Sequence, residues 1–135
     1  HNGIALRHLL ETLRVYEPTR LLLVFGCGGE RDHKRRAEMG RVAAQMADYS
    51  VVTSDNPRRE DPRGIIADIA EAMDAAGGAY EIIEDRGEAI RAAVRLTEAG
   101  DMLVVAGKGH ETVQIIGNES RHFDDREELK KGRKL

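Results

Sequence analysis

The chain has 135 residues, 41 % apolar and 33 % charged, with a formal net charge of −3. That is the length of one domain and the balance of a soluble globular protein rather than of a general nucleic-acid binder, and three tyrosines, two phenylalanines and no tryptophan leave little for a base-stacking platform. No stretch reaches the roughly 20 apolar residues of a membrane helix and no signal peptide is visible; the single cysteine excludes an intramolecular disulfide, so the expected setting is a reducing cytoplasm.

The chain opens on His1-Asn2-Gly3 without an initiator Met, as expected of a piece excised from a longer protein. Leu6, Leu9, Leu10 and Leu13 repeat at helical spacing, and Pro18 is expected to close that helix. Leu21 to Phe25 is a continuous apolar run, as in a strand buried on both faces. Gly26-Cys27-Gly28-Gly29 breaks it. Met39, Val42, Ala43 and Met46 mark a second helix, and Ser50 to Thr53 a second strand ending in the turn signal Ser54-Asp55-Asn56-Pro57. Asp61 before Pro62 predicts an N-cap with proline in the first turn. Ile65, Ile66, Ile69 and Met73 form that helix's buried stripe, and Gly77-Gly78 ends it. Tyr80 to Ile83 reads as a third strand. Asp85 with Glu88 starts a fourth helix, with Ala89, Ile90, Ala93 and Val94 inward and Gly100 closing it. Met102 to Ala106 is a fourth strand. Val113 to Ile116 and Arg121 to Phe123, flanking Gly117-Asn118, predict a hairpin, followed by a charged helical tail. The expected fold is α/β: a Rossmann-like, mostly parallel sheet of about six strands flanked by helices, with an antiparallel C-terminal strand or hairpin. No repeat or linker divides residues 1–135.

Ligands of such a sheet bind at the carboxyl ends of its strands. Three segments fall there: 26–32, 54–59 and 107–111. The first lacks the third glycine of a dinucleotide fingerprint, and a plain strand-to-helix turn explains it. Arg31 and the basic run Lys34-Arg35-Arg36 could hold an anion at the helix start; a solvated basic face is the simpler reading for Lys34 and Arg35. In the second segment Pro57 stiffens the turn, Asp55 and Asn56 present short polar groups, and Arg58 can fork onto a carboxylate. That set suits a zwitterion such as the end of an amino acid; an Asx-turn with an exposed arginine is the alternative. Gly107-Lys108-Gly109-His110-Glu111 is not a phosphate-binding loop. Its glycines allow close approach of a ligand, Glu111 could pair with an ammonium, and a loop-positioning role for His110 is favoured over a general base. Cys27 reads as a buried filler rather than a nucleophile. No His or Cys spacing suggests a metal site.

The three segments together, Phe25-Gly26-Cys27-Gly28-Gly29-Glu30-Arg31-Asp32, Ser54-Asp55-Asn56-Pro57-Arg58 and Ala106-Gly107-Lys108-Gly109-His110-Glu111, resemble the C-terminal domain of the Mur ligases. The likeness is nearest to members that add the third peptide residue, diaminopimelate, to UDP-N-acetylmuramoyl-L-alanyl-D-glutamate. It covers essentially the whole chain in order. His1-Asn2 resembles the end of the family's D-Y-A-H-N segment, so residues 1–3 are expected to end the linker from an ATP-binding domain. Gly3 and Ala37 stand where many members have proline.

The resemblance implies an enzyme that uses ATP and Mg2+ to convert the γ-carboxylate of D-Glu to an acyl phosphate, which the amine of the incoming amino acid attacks. The C-terminal domain delivers that amino acid. The D-N-P-R form of the second loop implies meso-diaminopimelate. By analogy Arg31 and Arg58 hold its distal carboxylate. Asp55, Asn56, the carbonyl of Gly107 and Glu111 orient its distal amino and carboxylate groups, Pro57 lies in the same substrate-binding turn, and Asn2 touches adenine. L-Lysine lacks the distal carboxylate, and losing one partner of a buried ion pair costs about 3–5 kcal/mol, or about 10²–10³-fold in affinity. No catalytic residue or metal ligand is assigned within the chain, which is expected to be inactive alone and monomeric. Its partners would be the UDP-N-acetylmuramoyl dipeptide and the central ATP-binding domain, with no nucleic acid or membrane. The alternatives are a ligase adding L-lysine or another diamino acid, a free-standing nucleotide-binding Rossmann module, for which the first loop is wrong, and an interaction module, which has no reason to gather arginine and glutamate on one edge.

Overall fold

The computed structural model describes residues 3–29, 33–55, 59–106 and 114–117. Helix α1 (Gly3–Arg14) precedes strand β1 (Leu21–Phe25), followed by α2 (His33–Met46), β2 (Tyr49–Val52), α3 (Pro62–Ala75), β3 (Tyr80–Ile82), α4 (Arg86–Leu96), β4 (Met102–Val105) and β5 (Gln114–Gly117). The strands lie in the order β3-β2-β1-β4-β5. The first four run parallel, with Leu23 opposite Ser50 on one side and Val104 on the other. β5 pairs antiparallel with β4, Leu103 opposite Ile116.

This corrects the expected sheet. Among the described residues there are five strands rather than about six, and no C-terminal hairpin. The run 113–116 pairs as Gln114–Gly117 with β4, which already supplies a free ladder edge; Gly117 is the last residue of that strand rather than a turn residue. The proposed second arm, Arg121 to Phe123, and the tail lie outside the described residues.

β1 is buried at every position, and its side chains alternate between two cores. Leu21, Leu23 and Phe25 join Leu6, Leu10 and Leu13 of α1, Met39, Val42 and Ala43 of α2, and Ile65, Ile66, Ile69 and Met73 of α3. Leu22 and Val24 face Ala89 and Ala93 of α4, with Val51, Leu103 and Val105. Three helices therefore cover one face, and α4 covers the other.

The helix ends follow local chemistry. Asp61 caps α3 by accepting from the N–H of Arg63 at 2.9 Å, with Pro62 in the first turn. α3 closes when the N–H of Gly78 reaches the carbonyl of Met73 and that of Gly77, at φ 73°, reaches Asp74. Asp85 accepts from the N–H of Glu88 at 2.9 Å. Two expected stops move. α1 ends at Arg14, four residues before Pro18. α4 ends at Leu96 with Thr97 as its C-cap, and Gly100, at φ 87°, serves the next turn instead.

That turn is held by Asp101, whose carboxylate accepts from Arg20 (2.6 Å at the closest pair) and from the N–H of Glu98 at 2.8 Å. It ties the starts of β1 and β4 together, since Met102 N–H also donates to the carbonyl of Arg20. Burial opposes ionisation of Asp101, but the hydrogen bonds from Arg20 and Glu98 and the Arg20 charge outweigh it, holding the carboxyl below its ordinary 3.8. α2 and α3 touch at Gly40, where a Cβ would sit 2.8 Å from the carbonyl oxygen of Ile69 and 3.0 Å from Cβ of Ala72.

A native pKa below the unfolded one adds stability that is complete above pH 3.8 and is lost as pH falls through the native value. Asp101→Asn should therefore cost about 1.5–3 kcal/mol in urea unfolding at pH 7, with the gap to wild type closing in acid below the ordinary carboxylate range; a gap constant with pH would contradict the pairing. Gly40→Ala should lose about 1–2 kcal/mol, the overpacking cost exceeding the helix-propensity gain. Gly64→Ala, where a Cβ meets nothing within 4 Å, should gain about 0.4–1 kcal/mol in the same assay.

Candidate functional site

Parallel strands place all their carboxyl ends on one edge, and the strand order reverses between β1 and β4. The three sequence segments leave from β2, β1 and β4, which are adjacent in the sheet. Two strand spacings of about 4.8 Å put their roots within about 10 Å of one another.

Backbone hydrogen bonds continue past the strands and lock these roots. Thr53 N–H donates to the carbonyl of Phe25 at 2.9 Å, joining the second root to the first. Ala106 N–H donates to Val24 at 2.9 Å, joining the third to β1. The carbonyl of Glu84 accepts from both Ser54 N–H (3.2 Å) and Thr53 Oγ1 (3.0 Å). Arg86, at the start of α4, donates through Nη2 to the carbonyl of Ala106 at 3.0 Å. Gly26 permits the closest approach: a Cβ there would collide with the carbonyl oxygen of Thr53 and lie 3.2 Å from Cβ of Asp55. A side chain at position 26 would wedge the first two segments apart.

Of the substrate-binding residues expected from sequence, Asp55 is described. It is buried, 4 % exposed, at the base of the second segment beside Gly26. Arg31, Asn56, Pro57, Arg58, Gly107, Glu111 and Asn2 lie outside the described residues, as does His110. Cys27 is buried in the larger core with its Sγ 3.6 Å from Sδ of Met39. Burial pushes its thiol up to about 12, with the Arg36 charge acting the other way. Such a thiol is almost wholly protonated near neutrality and unsuited to nucleophilic work.

The basic run after the first segment behaves differently from its sequence appearance. Lys34 is exposed and Arg35 half-buried, but Arg36 is completely buried. Its Nη2 donates to Glu60 Oε1 at 2.6 Å and its Nη1 to Asp68 Oδ2 at 2.8 Å. Asp68 also meets His33 Nδ1 at 2.9 Å. The hydrogen bond to Glu60 raises the Arg36 pKa further, against the effect of burial, and that to Asp68 adds to it. Arg36 is completely buried and both of its Nη groups are taken by carboxylates, so it offers nothing to an anion from solution. The sequence did carry a signal for this: Arg36, Met39, Gly40 and Ala43 share the i, i+3, i+4, i+7 stripe, and the last three are buried core positions of α2. Arg86 and Glu84 carried no comparable pattern.

Among the described residues there is no group of three or more His, Cys, Asp or Glu that could hold a metal ion. No described helix is long and apolar enough to cross a membrane.

Residues 1–109 match the family model for the Mur ligase, glutamate ligase domain. The chain is 48 % identical over 130 residues to a UDP-N-acetylmuramoyl-L-alanyl-D-glutamate–2,6-diaminopimelate ligase of Caldanaerobacter subterraneus, covering 96 % of this chain and 27 % of the relative. Its likeness to the ligase of the same name from Syntrophomonas wolfei is 50 % over 127 residues, covering 93 % and 26 %. A solved structure of a ligase of that name superposes with a TM-score of 0.79 at 38 % identity, over 99 % of this chain and 28 % of that one. The chain thus spans about a quarter of the length of the curated relatives it matches. The match over 109 of the 135 residues, on a mostly parallel sheet whose first, second and fourth strands end side by side, establishes that this chain belongs to the Mur ligase family through its glutamate ligase domain.

Proposed function

We propose that residues 1–135 are the C-terminal, amino-acid-delivering domain of a cytoplasmic, monomeric ligase that adds meso-diaminopimelate to UDP-N-acetylmuramoyl-L-Ala-D-Glu in peptidoglycan synthesis. The observation that carries this reading is the adjacency of the three segment roots at one sheet edge, in a chain whose relatives are named as 2,6-diaminopimelate ligases. ATP with Mg2+, held by a preceding central domain with Asn2 beside the adenine, would supply the phosphoryl group that activates the D-Glu γ-carboxylate of the UDP-dipeptide. The chain's own part is to bind and orient the incoming amine.

A diamino acid with a carboxylate at each end needs two kinds of partner. Arg58, with Arg31, takes the distal carboxylate, for which a planar guanidinium fork is better suited than a lysine ammonium. Asp55, Asn56, the Gly107 carbonyl and Glu111 hold the distal amino and carboxylate groups, and Pro57 limits the freedom of the turn that presents them. The buried position of Asp55 supports this, because a carboxylate at low exposure attracts an ammonium more strongly than one in water. Selectivity then follows from a missing group. L-Lysine would leave Arg58 without its partner in a closed site, and a site built to bind a polar group discriminates strongly against an analogue lacking it.

Titration of the isotopically labelled domain, followed through backbone amides, should show shifts at 55–58 and 107–111 with meso-diaminopimelate and none with L-lysine. Shifts with both amino acids would remove the role given to Arg58. In the full-length ligase, Arg58→Met should raise KM for meso-diaminopimelate by about 10²–10³-fold, the loss expected for one partner of a buried ion pair, while KM for ATP and for the UDP-dipeptide stays put. Equal changes in all three constants would point to a folding defect instead.

A further inference from the structure

A completely buried arginine is costly to desolvate, and a buried ion pair is seldom more stabilising than apolar side chains of the same volume. Arg36 is the largest side chain of the fully buried set and reaches two carboxylates on separate stretches of chain. What it does can be read from where those stretches lie. Arg36 itself is in the first turn of α2, immediately after the segment 26–32. Glu60 is two residues beyond the segment 56–58, just before the Asp61 cap of α3. Asp68 is in the body of α3, two turns further on.

The upstream end of 56–58 is already fastened by Thr53 N–H to Phe25 and by Ser54 N–H to Glu84. The Arg36–Glu60 contact fastens its downstream end to the first turn of α2, just beyond the other proposed carboxylate-binding segment. The two pairings of one guanidinium therefore have different reach. Glu60 touches the placement of the loop, while Asp68 joins one helix to another.

We propose that Arg36 is a positioning residue for the amino-acid substrate: through Glu60 it ties the chain just beyond 56–58 to the start of α2, just beyond 26–32, and so limits how far the two proposed carboxylate-binding segments can separate. The inference rests on the reading of the site given above. Arginine is required because its fork meets two carboxylates from different segments at once, and a lysine ammonium on a shorter head cannot hold both.

The two carboxylates separate placement from stability. In the full-length ligase, Glu60→Gln should raise KM for meso-diaminopimelate by about tenfold or more, since displacement of a binding group by about 1 Å is enough for losses of that size or larger, with KM for ATP and UDP-dipeptide unchanged. Asp68→Asn should lower the melting temperature yet leave all three constants near wild type. Arg36→Lys should behave as Glu60→Gln, and the Arg36→Lys/Glu60→Gln double variant should be no worse in KM than either single change. Glu60→Gln is isosteric and its side chain is one-third exposed, so it tests the proposal even where changes at Arg36 prevent folding. A Glu60→Gln enzyme with wild-type KM for the amino acid, or an Asp68→Asn enzyme with the same KM defect, overturns the inference while the proposed function stands. A wild-type enzyme that does not turn over meso-diaminopimelate overturns both.

Discussion

β1 has no face toward water. Its five residues are all buried, and a strand in that position must satisfy its backbone groups entirely within the sheet, since no solvent can reach them. It therefore needs a neighbour on each side, which β2 and β4 supply in parallel. Parallel pairing forces the connections among β1–β4 to return across a face, so helices cover both faces and the segments after these four strands leave from one edge. The candidate site is a consequence of this arrangement. Segments far apart in sequence are brought together because the strands they follow are compelled to lie beside β1.

This constraint is legible in the residues. An unbroken Leu-Leu-Leu-Val-Phe run between breakers specifies a doubly buried strand, and the helical stripes at 6–13, 39–46, 65–73 and 89–94 specify what covers it. Helix starts were legible too, because Asp61-Pro62 and Asp85 with Glu88 act within one turn of chain. Stops were less so. Thr97 ends α4 because its hydroxyl and N–H return to the carbonyls of Ala93 and Val94, leaving Gly100 for a left-handed position in the next turn. The strand count failed for a different reason. An apolar run after the fourth strand is compatible either with a hairpin of its own or with addition to the sheet edge, and only long-range pairing with β4 decides between them.

The candidate site was legible as an edge, not as a set of connections. The segments 26–32, 54–59 and 107–111 announce themselves through glycine and charge. What joins their roots does not: Glu84 offers a backbone carbonyl, which has no sequence signature, and Arg86 reaches across 20 residues to another carbonyl. Arg36 is the instructive case. As part of a basic run at a helix start it suggests an anion site, while its place on the apolar stripe says it is buried. The second pattern prevails because the partners that make burial tolerable, Glu60 and Asp68, lie 24 and 32 residues away.

Arginine meets carboxylate at both edges of the sheet, and the difference between Arg20 and Arg36 separates fold from proposed function. At the amino edge Arg20 remains partly exposed and joins strand starts that the ladder already holds side by side. Its Asp101 partner fixes a tight turn, and the gain is local stability. At the carboxyl edge Arg36 is removed from water altogether and joins segments that no ladder pairs directly, the start of α2 and the approach to α3. Full desolvation is a poor route to stability, but it has a use where a connection must be stiff. In a low-dielectric setting each misdirected N–H or carboxylate oxygen is penalised heavily, so the geometry is narrow. For the proposed role, in which two segments share one small zwitterion, that narrowness matters more than the extra stability an apolar replacement would bring.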